Sequence, residues 1–216
     1  MTTTADTGND LVRSYLFLRR AIGLIGLALP PVLIIGKLLL DGPGLQNSIS
    51  GYYYTEMRDV YVGAMCAVGM FLLSYKGHRP IDDLVGNLAA LSAIGVALFP
   101  TSPTGGPNVT AGDDQTLGFV HVAFAAVFFV SLAVFCFMFT RHDGETPGAR
   151  KSVRNKLYVA CGVTILACLA LIVVFGYLYD AETKSLHPAL WLESAAVWAF
   201  GIAWLTKGRA IAPLNG

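Results

Sequence analysis

The chain has 216 residues, 55% of them hydrophobic and 13% charged, with a formal net charge of +1. A soluble domain carries roughly 25% charged residues, so this composition, at a mean hydropathy of +0.59, predicts a polytopic membrane protein. It excludes disorder, which needs low hydrophobicity and high net charge, and it argues against nucleic-acid binding, which needs a basic face.

The N-terminus is polar (MTTTADTGND), and residues 1–15 read as a tail. The first apolar run, Ala21–Leu40, carries Pro30 and Pro31 and no small-residue cleavage site, so it reads as a retained helix rather than a cleaved signal. Lys37 near its end can snorkel to the interface. Val60–Tyr75 is short, and a polar turn from Lys76 to Asp83 joins it to Leu84–Pro100, with Asp82 and Asp83 expected to cap that helix. Leu117–Phe139 and Leu157–Tyr179 are uncharged and long enough to cross about 30 Å of hydrocarbon. Pro188–Thr206 is interrupted by Glu193 alone. The expected fold is therefore all-α, an integral membrane bundle of six transmembrane helices forming one domain over 16–207, with a short tail at 208–216.

Small residues mark the expected contacts between helices. Ala89, Ala93 and Ala97 form a stripe, and Gly63 and Ala67 do the same on the preceding span. Such faces also suit a homo-oligomer. Cys66, Cys136, Cys161 and Cys168 all lie in apolar runs with no CxxC, and read as packing residues.

Loop charges predict the direction of insertion. With the N-terminus in the cytoplasm, twelve Lys and Arg lie inside and three (Lys37, Arg58 and Lys184) outside. That bias places both termini in the cytoplasm. Of the outer loops, Asp41–Asp59 is then the longest, followed by Thr101–Thr116, which carries a sequon at Asn108-Val109-Thr110. Tyr52, Tyr53 and Tyr54 fit an interfacial aromatic belt.

Charged groups at membrane depth cost about 2.5–3.5 kcal/mol and need a partner, a cavity or a function. Arg58, Asp59, His121, His187 and Glu193 all fall on the outer side in this topology. A metal site is not expected, because HExxH and HxxxH are both absent, and no cofactor is implied. Acid–base chemistry by His121 and Glu193, with Asp59 as a further candidate, would act on a hydroxyl or water near a lipid headgroup. Ser48, Ser50, Thr55 and Ser102 supply nearby hydroxyls. The plainer alternative is that Glu193 bonds His121 or Arg58 and locks helices together, for about 0.6–2 kcal/mol.

Four segments carry a family resemblance: Leu29-Pro30, the loop SISGYYYTEMRDVYVG, LGFVHVAFAAVFF and HPALWLESAAVWAFG. Their order resembles the six-helix membrane superfamily of damage-regulated autophagy modulators and glycosylphosphatidylinositol-anchor remodelling proteins, nearest its uncharacterised bacterial branch. Ile49-Ser50, His121 and Glu193 match positions of that pattern, whereas the three tyrosines depart from the animal members. The resemblance implies six helices with cytoplasmic ends in a bacterial plasma membrane, and a connection to membrane lipids. The expected function is recognition of a lipid headgroup by an outward-facing pocket of Arg58, Asp59, His121, His187 and Glu193. The alternatives are a membrane-embedded lipid hydrolase or acyl-transfer enzyme using His121 and Glu193, and a small-solute transporter or channel.

Overall fold

A computed structural model of the chain describes residues 4–77, 79–102, 113–141, 148–178 and 186–211. Among the described residues there are six α-helices and no strand: α1 (Thr4–Leu40), α2 (Arg58–Leu73), α3 (Pro80–Leu98), α4 (Asp113–Phe139), α5 (Ala149–Leu178) and α6 (Pro188–Lys207), with a 3₁₀ helix at Ser50–Tyr54. The sequon at Asn108, together with His78 and His142, lies outside the described residues.

Local chemistry sets the helix ends. Pro80 and Pro188 occupy first turns, where the missing N–H costs nothing. Asp82 accepts the Arg79 N–H at 3.1 Å and Asp83 the Gly77 N–H at 2.8 Å, so both act at the start of α3 as expected. α3 stops at Leu98 because Phe99 precedes Pro100 and is pushed into extended geometry (φ −99°, ψ 107°). α1 runs through Pro30 and Pro31. Pro31 cannot donate to the Leu27 carbonyl, and the Trp198 indole of α6 donates to that oxygen instead, at 3.2 Å.

Five helices are long and apolar enough to cross a membrane: Arg13–Leu40 of α1, α3, Thr116–Phe139 of α4, Ala149–Gly176 of α5, and α6. The second expected span falls short. α2 has 16 residues, about 24 Å at 1.5 Å per residue, because its chain enters through the 3₁₀ helix and a turn. Large apolar side chains face outward on several helices, including Leu39, Phe119 and Val173. Such a surface is stable against hydrocarbon and not against water. The chain is an integral membrane protein.

Helix contacts run round a closed circuit, from α1 to α2 and onward to α6, which returns to α1; α4 also touches α6. Close crossings depend on small residues. A Cβ on Gly23 would stand 2.9 Å from the Gly201 carbonyl, and one on Gly201 2.9 Å from the Gly23 carbonyl, so α1 and α6 meet backbone to backbone. Ala89, Ala93 and Ala97 are fully buried, so that stripe serves contacts within one chain. Gly63 faces open space; the close approach on α2 is at Gly69, where a Cβ would meet Ile94 at 2.8 Å. The α2 seam therefore runs through a different glycine from the one expected.

The two ends of the helix array differ in chemistry. At one end Trp204 is ringed edge-on by Tyr75, Phe135 and Phe139, at centroid distances of 5.3, 5.5 and 5.3 Å. Arg20 caps α6 there through the Gly208 carbonyl at 2.9 Å, a favourable place for a cation. The other end is covered by residues 41–57. Lys37 does not reach outward there; its ammonium holds the Gly42 and Pro43 carbonyls, each at 3.0 Å. Tyr52 is fully buried in this cover, and only Tyr54 of the three tyrosines is exposed. Burial pushes the Tyr52 phenol above its usual value. A belt of three tyrosines is thus corrected to one buried anchor, one partly buried ring and one surface ring. Cys136, Cys161 and Cys168 are buried and Cys66 partly so, all as free thiols.

Candidate functional site

The break after α3 creates the first half of the site. Helix C-termini leave carbonyls without intrahelical donors, and the Phe99 carbonyl points at α4. His121 of α4 meets it through Nδ1 at 2.6 Å. A carbonyl oxygen only accepts, so Nδ1 carries the hydrogen and Nε2 of the neutral ring presents its lone pair. Nε2 lies 2.9 Å from Ser50 Oγ, and the serine hydroxyl donates to it.

The second half comes from α6. The Glu193 carboxylate accepts the Ile49 N–H at 2.7 Å and also faces the Ser50 N–H. These are the free donors that open the 3₁₀ helix, so the carboxylate is held by the chain segment that carries Ser50. Ser50 and His121 are buried, at 9% and 4% exposure. Ser50 thus stands between a base on α4 and an acid-bearing helix, α6, that touches α4.

Beside Ser50 is a cavity of about 30 Å³, room for one or two waters. Its polar wall is Ser50, Tyr61 and Glu193; Leu29, Met65, Val96, Phe128 and Val197 line the rest. Tyr61 is 1% exposed, and its hydroxyl neighbours Ser50; among the described residues it meets no hydrogen-bond partner at strict geometry. Buried polar groups are nearly always bonded, so Ser50 is the group that holds this hydroxyl beside the cavity.

The other expected residues lie apart from this cluster. Arg58 is exposed at the start of α2, donating to the Tyr53 hydroxyl at 2.7 Å with its guanidinium 4.4 Å from that ring centroid. Asp59 is exposed beside it. His187, left-handed at φ 49°, pairs through Nδ1 with Asn47 Oδ1 at 2.9 Å. Of the five expected site residues, Glu193 lines the cavity and His121 reaches it through Ser50, whereas Arg58, Asp59 and His187 are not among the lining residues. The bonds of Glu193 run to the loop backbone at Ile49 and Ser50 rather than to His121 or Arg58. Among the described residues, no three His, Cys, Asp or Glu side chains are placed to share a metal ion.

Sequence reasoning placed Ser50 among several hydroxyls and missed Tyr61 and the Phe99 carbonyl. The signal for the carbonyl was present in Phe99-Pro100, which ends a helix. Tyr61 carried no local signal, since one tyrosine in an apolar span reads as packing.

No curated protein and no solved structure matches the chain. A family model described as a protein of unknown function matches residues 24–207, which include Ser50, Tyr61, His121 and Glu193. The chain belongs to the DUF998 family.

Proposed function

We propose that this membrane protein recognises a lipid at the outer face of a bacterial plasma membrane, through the end covered by residues 41–57. Both termini are then cytoplasmic, in keeping with the excess of Lys and Arg in the loops at the opposite end. The likeness to the autophagy-modulator and anchor-remodelling superfamily points the same way, towards membrane lipids.

The observation that carries this reading is a buried polar cluster, Ser50, Tyr61 and Glu193, on one wall of a cavity that is otherwise apolar. Polar side chains gathered at membrane depth are costly unless they bond one another or a polar ligand. Arg58, exposed at the start of α2 directly after this cover, supplies a matching charge. Its planar fork binds phosphate in bidentate fashion, and Tyr53 orients it. Asp59, exposed beside Arg58, and His187, held against Asn47 of the same cover, suit the amine or hydroxyl part of a headgroup. At about 30 Å³ the cavity takes a water and not a headgroup, so the headgroup engages the exposed side chains at this end of the helix array.

Native mass spectrometry of the detergent-purified chain tests this, with wild type beside Tyr61→Phe and Arg58→Ala. The expected result is a discrete lipid adduct on wild type that is reduced in both folded variants. A bare wild-type mass, or an adduct equally strong in both variants, overturns it.

A further inference from the structure

We propose that Ser50 is a nucleophile activated by His121, and that it accepts the acyl group of a membrane-lipid ester. The proposal rests on the reading of this end as a lipid site, and adds a reaction to it.

Three features of the geometry carry it. The Ser50 Oγ to His121 Nε2 distance is 2.9 Å, and the opposite ring nitrogen is fixed as a donor to the Phe99 carbonyl. A nucleophile, a base and a group orienting the base are the minimum set for covalent acyl transfer. Here a backbone carbonyl takes the orienting place that a carboxylate fills in the familiar triad. The third feature is the Tyr61 hydroxyl beside Ser50. The Ile49 and Ser50 N–H groups face Glu193, which leaves the Tyr61 hydroxyl, whose neighbour is Ser50 itself, as the donor that an oxyanion developing at Ser50 would meet, a role side-chain hydroxyls also fill.

The surroundings select the substrate class. The cluster sits at the level where α3 ends, since Phe99 is its first residue beyond the helix. Ester groups of membrane lipids occupy this boundary between hydrocarbon and headgroup. Beyond its polar wall the cavity is apolar, lined by residues such as Met65, Val96 and Phe128, surroundings that favour an uncharged ester over a charged solute.

The steps balance without an oxidant or a metal. Ser50 Oγ attacks the ester carbonyl carbon as its proton passes to His121 Nε2, and Tyr61 donates to the resulting oxyanion. Collapse breaks the bond to the alcohol oxygen, which leaves with the proton from His121. Water then attacks the acyl-Ser50 carbonyl, giving a proton to His121. The bond to Oγ breaks, the fatty acid departs, and Ser50 regains its proton. A second lipid hydroxyl in place of water would give acyl transfer by the same route.

The test is reaction of the full-length, detergent-purified chain with a fluorophosphonate probe, followed by peptide mass spectrometry. The expected result is one adduct on the peptide containing Ser50, with none on Ser50→Ala. In His121→Gln, checked for folding by its melting temperature, the labelling rate falls by about 10²-fold or more. No adduct on wild type, or an unchanged rate in folded His121→Gln, overturns the proposal. The wild-type adduct site decides the matter even where Ser50→Ala fails to fold. A co-purified lipid without labelling removes the nucleophile and leaves the binding reading standing. Labelling without any lipid adduct does the reverse.

Discussion

Glu193 on the last helix and Ile49 in the first long loop lie 144 residues apart and are joined by a 2.7 Å hydrogen bond. The carboxylate opens into the start of a 3₁₀ helix, where backbone N–H groups have no partner in the helix itself. Together with the Lys37 and His187 contacts to the same segment, this side chain fastens residues 41–57 over the end of the helix array, and it acts at the turn that carries Ser50. Glu193→Ala leaves the Ile49 and Ser50 N–H groups without this acceptor, at about 1–3 kcal/mol each if they stay dry. Glu193→Gln keeps one acceptor oxygen and loses less. Thermal unfolding in detergent should rank wild type above Gln and Gln above Ala, with faster hydrogen exchange at 48–52 in both variants. Identical melting of wild type and Glu193→Ala would show that the bond does not hold the loop.

The glycines separate into those that hold helices together and those that do not. Gly201→Val forces a side chain onto the Gly23 backbone, and overpacking of this kind costs about 1–3 kcal/mol. Gly63→Ala adds a methyl where nothing lies within 4 Å and should leave stability unchanged or slightly raised, since alanine favours the helix. Melting temperatures of the two variants test the pair. A large loss from Gly63→Ala would place an unrecognised contact on that face of α2.

Trp204 is fully buried among aromatic rings, and among the described residues its indole N–H has no hydrogen-bond partner. Its contribution is therefore packing. Trp204→Ala should cost about 3–5 kcal/mol, while Trp204→Phe keeps the edge-on contacts, removes an unpaired donor and costs much less. Chemical denaturation in mixed micelles distinguishes them. Similar losses in both would assign the indole N–H a bond of its own.

Orientation is testable by thiol labelling on intact cells. Cys136, Cys161 and Cys168 are buried and contribute little background. Glu56→Cys, exposed in the cover, should react with a membrane-impermeant maleimide from outside. Ala210→Cys, exposed just beyond α6, should react only after permeabilisation. The opposite pattern would invert the protein and place the Ser50 cluster in the cytoplasmic leaflet.

The sequence by itself determined the class of protein, the long apolar helices, the caps at Asp82 and Asp83 and the burial of the alanine stripe. Each is a local or periodic property: apolar length sets a span, a proline sets a boundary, and spacing by four sets a face. It also singled out His121 and Glu193, because a titratable side chain in an apolar run stands out by its cost. Only the tertiary structure decided which of the polar residues meet. Arg58 and Asp59 are neighbours in sequence and point outward, whereas Ser50, His121 and Glu193 are brought together from a loop and two distant helices. The physical reason lies in the backbone. Pro100 frees the Phe99 carbonyl to orient His121, and the unpaired N–H groups of a short 3₁₀ helix capture Glu193. Neither event has a side-chain spacing that a sequence can display.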